Sequence, residues 1–289
     1  MHESELGFVS IPEISAIYYA LLQCGYDFYS IQRDEGHARA LRGWMTEKPH
    51  PFWEQVRQCT CQVYPYWPRA ALLETAVFYL QPGKKEFADF ARYRKWVMAA
   101  GNITDEERNE AFFAWLEGFT GALSDVMESK GFREYSAWRR AWLSEQHRVH
   151  RNVLEHVKNC LNVCVSLYAS PVREIGILLD PIKCAYSADY HLLGETFYYS
   201  SGLFNPESVI HEFLHPVVHP VVKDNCDWIL RCCAEYPGID ASYYLDGGET
   251  GRLNAFEEYA VRCLTKRAMI EELPQDLGAF LHQVATGLD

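Results

Sequence analysis

A chain of 289 residues that is 48% hydrophobic and 14% aromatic carries enough apolar surface to bury one large core or two modest ones, and reads as globular. Its net charge of -12, from 39 acidic against 27 basic residues, excludes a nucleic-acid surface, which needs clustered Lys and Arg. The opening Met1-His2-Glu3-Ser4-Glu5-Leu6-Gly7 lacks the basic then apolar run of a secretory signal, and no apolar run is long enough to span a bilayer. Cytoplasmic residence, with no membrane or nucleic-acid partner, is the expectation.

In chain order, residues 1–168 read as consecutive helices. Apolar positions recur at helical spacing through Ile14, Ile17, Tyr18, Leu21 and Leu22, from Ala70 to Leu80, and from Phe87 to Met98. Gly83, Gly101 and Gly131 punctuate these runs as loop glycines. Thr104-Asp105-Glu106-Glu107 is a capping box opening a helix that turns Phe112, Phe113, Leu116, Phe119 and Leu123 inward. A last long helix is predicted from about Tyr135 to Tyr168. Its His147, His150 and His156 do not share one face and have Arg148 and Arg151 beside them, so they read as a solvated face. The ten cysteines, among them Cys59, Cys61, Cys160, Cys164, Cys232 and Cys233, include no C-x-x-C pair and read as small core residues in a reducing compartment.

The texture changes near Ser170-Pro171, which sets the division into a helical N-terminal domain over 1–168 and a second domain over 169–289. Val172 to Leu179 and Glu195 to Tyr199 read as strands, the second placed where its free edge could pair with an extended substrate. Next comes Val209-Ile210-His211-Glu212-Phe213-Leu214-His215. Two histidines four apart on a helix project from one face and can grip a single Zn²⁺, and Glu212 can then act as general base on an attacking water. Asn205-Pro206-Glu207 supplies an N-cap, a proline at the first helical position and an acid in the first turn. Pro216 removes the amide that would bond back to Glu212, so the helix is expected to bend or end its regular ladder just after His215. His219 continues the four-residue spacing but stands too far along a straight helix to share the ion, and reads as lining the cleft or packing.

A catalytic zinc takes a third protein ligand and keeps one position open. A metzincin site would need Gly and His where Val218 and Val221 stand, so that class is excluded. The natural source is the later helical pattern from Leu253 to Leu264, with Glu257 and Glu258 between apolar residues. Helical angle puts Glu257 nearer the core face, whereas an N-cap at Asn254 would turn Glu257 back to the cap and leave Glu258 to coordinate.

His211 to His215 with an acid on a later helix resembles the gluzincin branch of the zincin metallopeptidases, and the resemblance assigns Glu258 as third ligand. Phe213, Val218 and Pro220 resemble the H-E-F-x-H-x-x-V-x-P version of a poorly characterised bacterial zincin-like group, whose acid-bearing helix reads E-Y-x-V-R; Glu258-Tyr259-Ala260-Val261-Arg262 fits it. The resemblance covers roughly residues 172–270. It implies an α+β, mostly helical chain with a zincin-like second domain built from a small sheet, the His211–His215 helix and a ligand-bearing helix. It also implies a zinc metallopeptidase acting on a peptide or protein, with Zn²⁺ on His211, His215 and Glu258 and with Glu212 as base. Tyr186, Tyr190, Tyr236, Tyr243, Tyr244 and His219 are unranked oxyanion donors. The alternative is a zinc-containing binding or regulatory protein without turnover.

Overall fold

The computed structural model describes residues 5–24, 51–58, 73–74, 76–78, 118–183, 188–232, 236 and 248–287. The architecture is α+β and mostly helical, as expected, with one four-stranded sheet. Its elements are β1 (Glu5–Val9), α1 (Pro12–Gln23), α2 (Pro51–Gln58), α3 (Phe119–Glu128), α4 (Lys130–Leu167), β2 (Glu174–Leu179), β3 (Asp189–Leu193) and β4 (Thr196–Ser201). They are followed by α5 (Pro206–Asp224), α6 (Cys226–Cys232), α7 (Gly248–Met269) and α8 (Leu277–Thr286). The expected readings over 81–117, the capping box at Thr104 among them, lie outside the described residues, as do Cys59, Cys61, Cys233, Tyr186, Tyr243 and Tyr244. No helix among the described residues is long and apolar enough to cross a membrane.

The sheet order is β1-β2-β4-β3, with β1, β2 and β4 parallel and β3 antiparallel to β4. This corrects two expectations. The first 168 residues are not all helical, because β1 pairs with β2 in register Leu6 to Ile175 and Phe8 to Ile177. Nor does β4 offer a free edge, since it is bonded on both sides; the edge strand beside it is β3, which was not expected. Five of the six β2 residues are buried, as suits an interior strand. Gly176 in its middle lies where an added Cβ would meet Tyr198 Cδ1 at 2.8 Å, so glycine admits the ring of the neighbouring strand.

Two cores form. One gathers α1, α2, α3 and the start of α4 around Tyr18, Tyr19, Trp53, Phe119 and Tyr135; the other gathers the rest of α4, the sheet and α5 to α8 around Tyr199, Phe213 and Phe256. They meet along α4 and the sheet, with Leu178 and Ile182 in the first, rather than at residue 168. Gly131 is not a loop glycine: it is buried in the first turn of α4, whose N-cap Ser129 accepts the Phe132 amide. His147 and His156 are exposed on α4 as expected, while His150 is half-buried against Phe204. Six described cysteines carry free thiols, and Cys24, Cys160 and Cys164 are core residues.

A buried polar knot ties the sheet to the helical layer. Lys183, 1% exposed, is held 2.9 Å from Glu74 Oε1 and 3.1 Å from Ser200 Oγ, and also bonds Asp189; Glu74, fully buried, further takes His191 Nε2 at 2.8 Å and the Tyr18 hydroxyl. Beside it Asp180 pairs with Arg139 Nε at 2.9 Å and accepts the Tyr135 hydroxyl. Each buried charge thus has an opposite charge in contact, which its removal from water requires.

Candidate metal centre

α5 starts where its sequence says it should. Asn205 Oδ1 accepts the amides of Glu207 at 3.0 Å and Ser208 at 3.3 Å, and Pro206 occupies the first helical position. Val209, Ile210, Phe213, Leu214, Val218 and Val222 bury one face. Of the two outcomes expected at Pro216, a bend or an end, the end does not occur: the helix continues through Pro216 and Pro220 to Asp224, because Val218 and Val222 stay anchored in the core. His211 and His215 lie on an adjoining face, turned to α7.

α7 starts at Gly248, so Asn254 is inside the helix and not its N-cap. This removes the capping role weighed for Glu257, and both acids point toward α5. They do different things there. Glu258, 6% exposed, sets Oε2 at 3.5 Å from His211 Nε2 and 3.5 Å from His215 Nε2, while the two Nε2 atoms are 3.2 Å apart. Its other oxygen accepts Arg262 Nε at 2.7 Å, one turn along the same helix. Glu257 stands behind the histidines: Oε1 is 3.2 Å from His215 Nδ1 and Oε2 is 2.8 Å from His219 Nδ1. The helical angle that puts Glu257 nearer the core is thereby corrected: Glu258 is the buried acid and Glu257 is half-buried. His219 is largely exposed and bonds Glu257, outside the triangle.

Three donor atoms at 3.2, 3.5 and 3.5 Å match the spacing a small tetrahedral ion demands. Ligands about 2.0–2.2 Å from a tetrahedral Zn²⁺ stand roughly 3.3–3.6 Å from one another. Among the described residues His211, His215 and Glu258 form the one group of His, Cys, Asp and Glu that meets such a criterion. The surrounding charge asks for a cation as well. Burial opposes a proton on His215, yet Glu257 and Glu258 push it up to about 10, and the histidines hold Glu258 well below the usual carboxylate range against its own burial.

Glu212 lies on the same helix between the two histidines. It has no hydrogen-bond partner among the described residues, and burial raises its carboxyl to about 8, with Asp189 and Glu258 adding to the effect and His215 and Lys183 opposing it. A dication alongside would act in the opposite direction and favour the carboxylate, the form that can accept a proton. Of the expected tyrosines, Tyr190 of β3 comes to the site: its ring stacks on His215 at 6.0 Å and 12°, and burial, with Glu257 and Glu212, keeps its hydroxyl protonated. Tyr236 does not; it packs on Phe256 and Tyr259. Glu257 as a carboxylate behind His215, Arg262 as an anchor for Glu258 and the stacking of Tyr190 are contacts between separate elements or side-chain choices that spacing along the chain does not encode. No protein-family model, curated protein or solved structure matches this chain.

Proposed function

We propose that the chain is a zinc-dependent peptide hydrolase of gluzincin type, acting on a peptide or protein substrate in the cytoplasm. The observation that carries the reading is the triangle of His211 Nε2, His215 Nε2 and Glu258 Oε2, whose sides fit three corners of a zinc tetrahedron. Three protein donors, the number among the described residues, leave one position for a reacting group, whereas a structural zinc is closed by four. That count favours turnover over a metal held only for structure.

When bound, Zn²⁺ would serve as Lewis acid for the scissile carbonyl and would acidify the attacking water. The protein's own groups do the rest. Glu212 accepts the proton released as water adds to the carbonyl carbon and delivers it to the amine nitrogen that leaves. Glu257 takes the Nδ1 proton of His215 in a hydrogen bond, which leaves the Nε2 lone pair directed into the triangle. Arg262 fixes Glu258 so that one oxygen faces the histidines. Tyr190, whose ring stacks on His215, is the tyrosine among those expected that this reading takes as donor to a developing oxyanion.

Purified chain incubated with a mixed peptide library should generate new amino termini, lose that activity on chelation, and regain it with one equivalent of zinc. Cleavage that persists through chelation would assign the activity to something other than this centre. Replacing Glu257 with Gln should weaken zinc binding about 10–100-fold in a chelator competition, as loss of a carboxylate behind a ligating histidine does elsewhere. An unchanged affinity would mean that Glu257 does not orient His215.

A further inference from the structure

A cleft of about 310 Å³ opens between the first turn of α5 and the second half of α7, with His211 and Glu258 among its lining. Every other side chain that lines it is polar or charged, including Ser208, Glu207, Arg262, Thr265 and Lys266. In a chain of net charge -12, the cleft itself is balanced: Arg262 and Lys266 offset Glu207 and Glu258, so a dication on the triangle leaves it two charges positive. Lys266 is exposed and has no carboxylate partner among the described residues. Ser208 Oγ already accepts the Tyr199 hydroxyl at 3.1 Å, which leaves its own proton for another acceptor. The Thr265 hydroxyl is spent on the Val261 carbonyl.

We infer that this cleft is a carboxylate subsite: Lys266 and the Ser208 hydroxyl receive a carboxylate of the peptide, with Arg262 adding positive charge from beside Glu258. The inference rests on the metal and hydrolase reading for its net charge and for the nature of the ligand. The carboxylate has two sources, the C-terminus of a peptide or an Asp or Glu side chain near the bond to be cut. An ammonium against a carboxylate gives a charge-assisted contact, and the isosteric amide forfeits it.

The test uses the zinc-loaded full chain and four short peptides: one with a free C-terminus, its C-terminal amide, and the amide bearing an internal Glu or an internal Gln. Binding is measured by calorimetry and cleavage by mass spectrometry, for the natural chain and for Lys266→Glu and Lys266→Ala. One carboxylate peptide should bind about tenfold more tightly than its uncharged counterpart, and Lys266→Glu should erase that ratio, with Lys266→Ala between the two. Which pair shows the ratio identifies the source. A ratio that survives in both variants reflects the carboxylate meeting the metal directly and overturns the inference, as does equal binding of acid and amide. Binding with the expected ratio but without cleavage of any peptide supports the subsite while refuting the hydrolase reading.

Discussion

Glu212→Gln should leave one zinc bound per chain and lower peptide turnover by about 10²–10⁴-fold, the usual cost of removing a positioned general base. Glutamine keeps the shape of the side chain and cannot accept a proton. The substitution therefore separates chemistry from metal binding, because the triangle contains no atom of Glu212. Burial raises the half-buried carboxyl to about 8, and a neighbouring dication would lower it. Turnover should fall in kcat rather than through KM, since the proton moves only as the tetrahedral species forms. A Glu212→Gln chain that hydrolyses peptides at the natural rate would remove Glu212 from the mechanism and leave the zinc site without a base.

Lys183→Met should cost about 3–5 kcal/mol of stability at pH 7. Burial acts against the charge on Lys183, but Asp189 and Glu74 hold its ammonium well above the usual range, so it is a cation in the core. Methionine fills similar space and leaves two carboxylates, Glu74 and Asp189, buried without their shared counter-charge. The pH dependence distinguishes this from lost packing. Burial alone would raise Glu74, yet Lys183, His191 and Tyr18 lower it from 4.5 to about 2. A depressed carboxyl gives stability that is complete above pH 4.5 and disappears as the pH falls toward 2. Without Lys183 burial raises Glu74 and Asp189, so the gap between natural chain and variant should keep widening above pH 4.5 and narrow as the pH falls toward 2 in denaturant titrations. A gap of the same size at every pH would point to packing alone, and no gap would show that the knot carries no net stability.

The legible parts of the molecule are those written over a few consecutive residues. Asn205-Pro206-Glu207 opens α5 at the expected residue, and the four-residue spacing brings His211 and His215 together because helical geometry is local. Val172 to Leu179 and Glu195 to Tyr199 were legible as strands from β-branched and aromatic content, each within two residues of β2 and β4. β3 was not, for a physical reason: its polar residues Asp189 and His191 point inward to Lys183 and Glu74, while Tyr190 and Leu192 point out. That inverts the alternation by which a half-buried strand is recognised. β1 is not legible locally because five residues after an acidic start become a strand only by pairing with β2, far along the chain.

The same distinction governs the site. Spacing alone offered Glu257 and Glu258 equally, and the resemblance to gluzincins chose Glu258; in the fold Glu258 faces both Nε2 atoms and Glu257 lies behind His215. What decides between adjacent acids is the rotation of α7 against α5, which is set by packing across the second core. The helix does not end at Pro216 for a related reason. A missing amide weakens one turn, but the buried Val218 and Val222 beyond it keep the chain helical. The partners of Lys183 likewise come from separate parts of the chain, Glu74 lying 109 residues away, and no short motif records that meeting.

The most direct measurement is zinc K-edge absorption spectroscopy on protein titrated with zinc, for the natural chain and for His211→Ala. One tightly bound ion per chain is expected, with two imidazole nitrogens and a carboxylate oxygen at about 2.0–2.2 Å and one further light ligand, and the His211→Ala chain should lose that tight site. An equal zinc content in the two proteins, or a natural chain that binds no zinc tightly, would contradict the proposal that His211, His215 and Glu258 hold a metal.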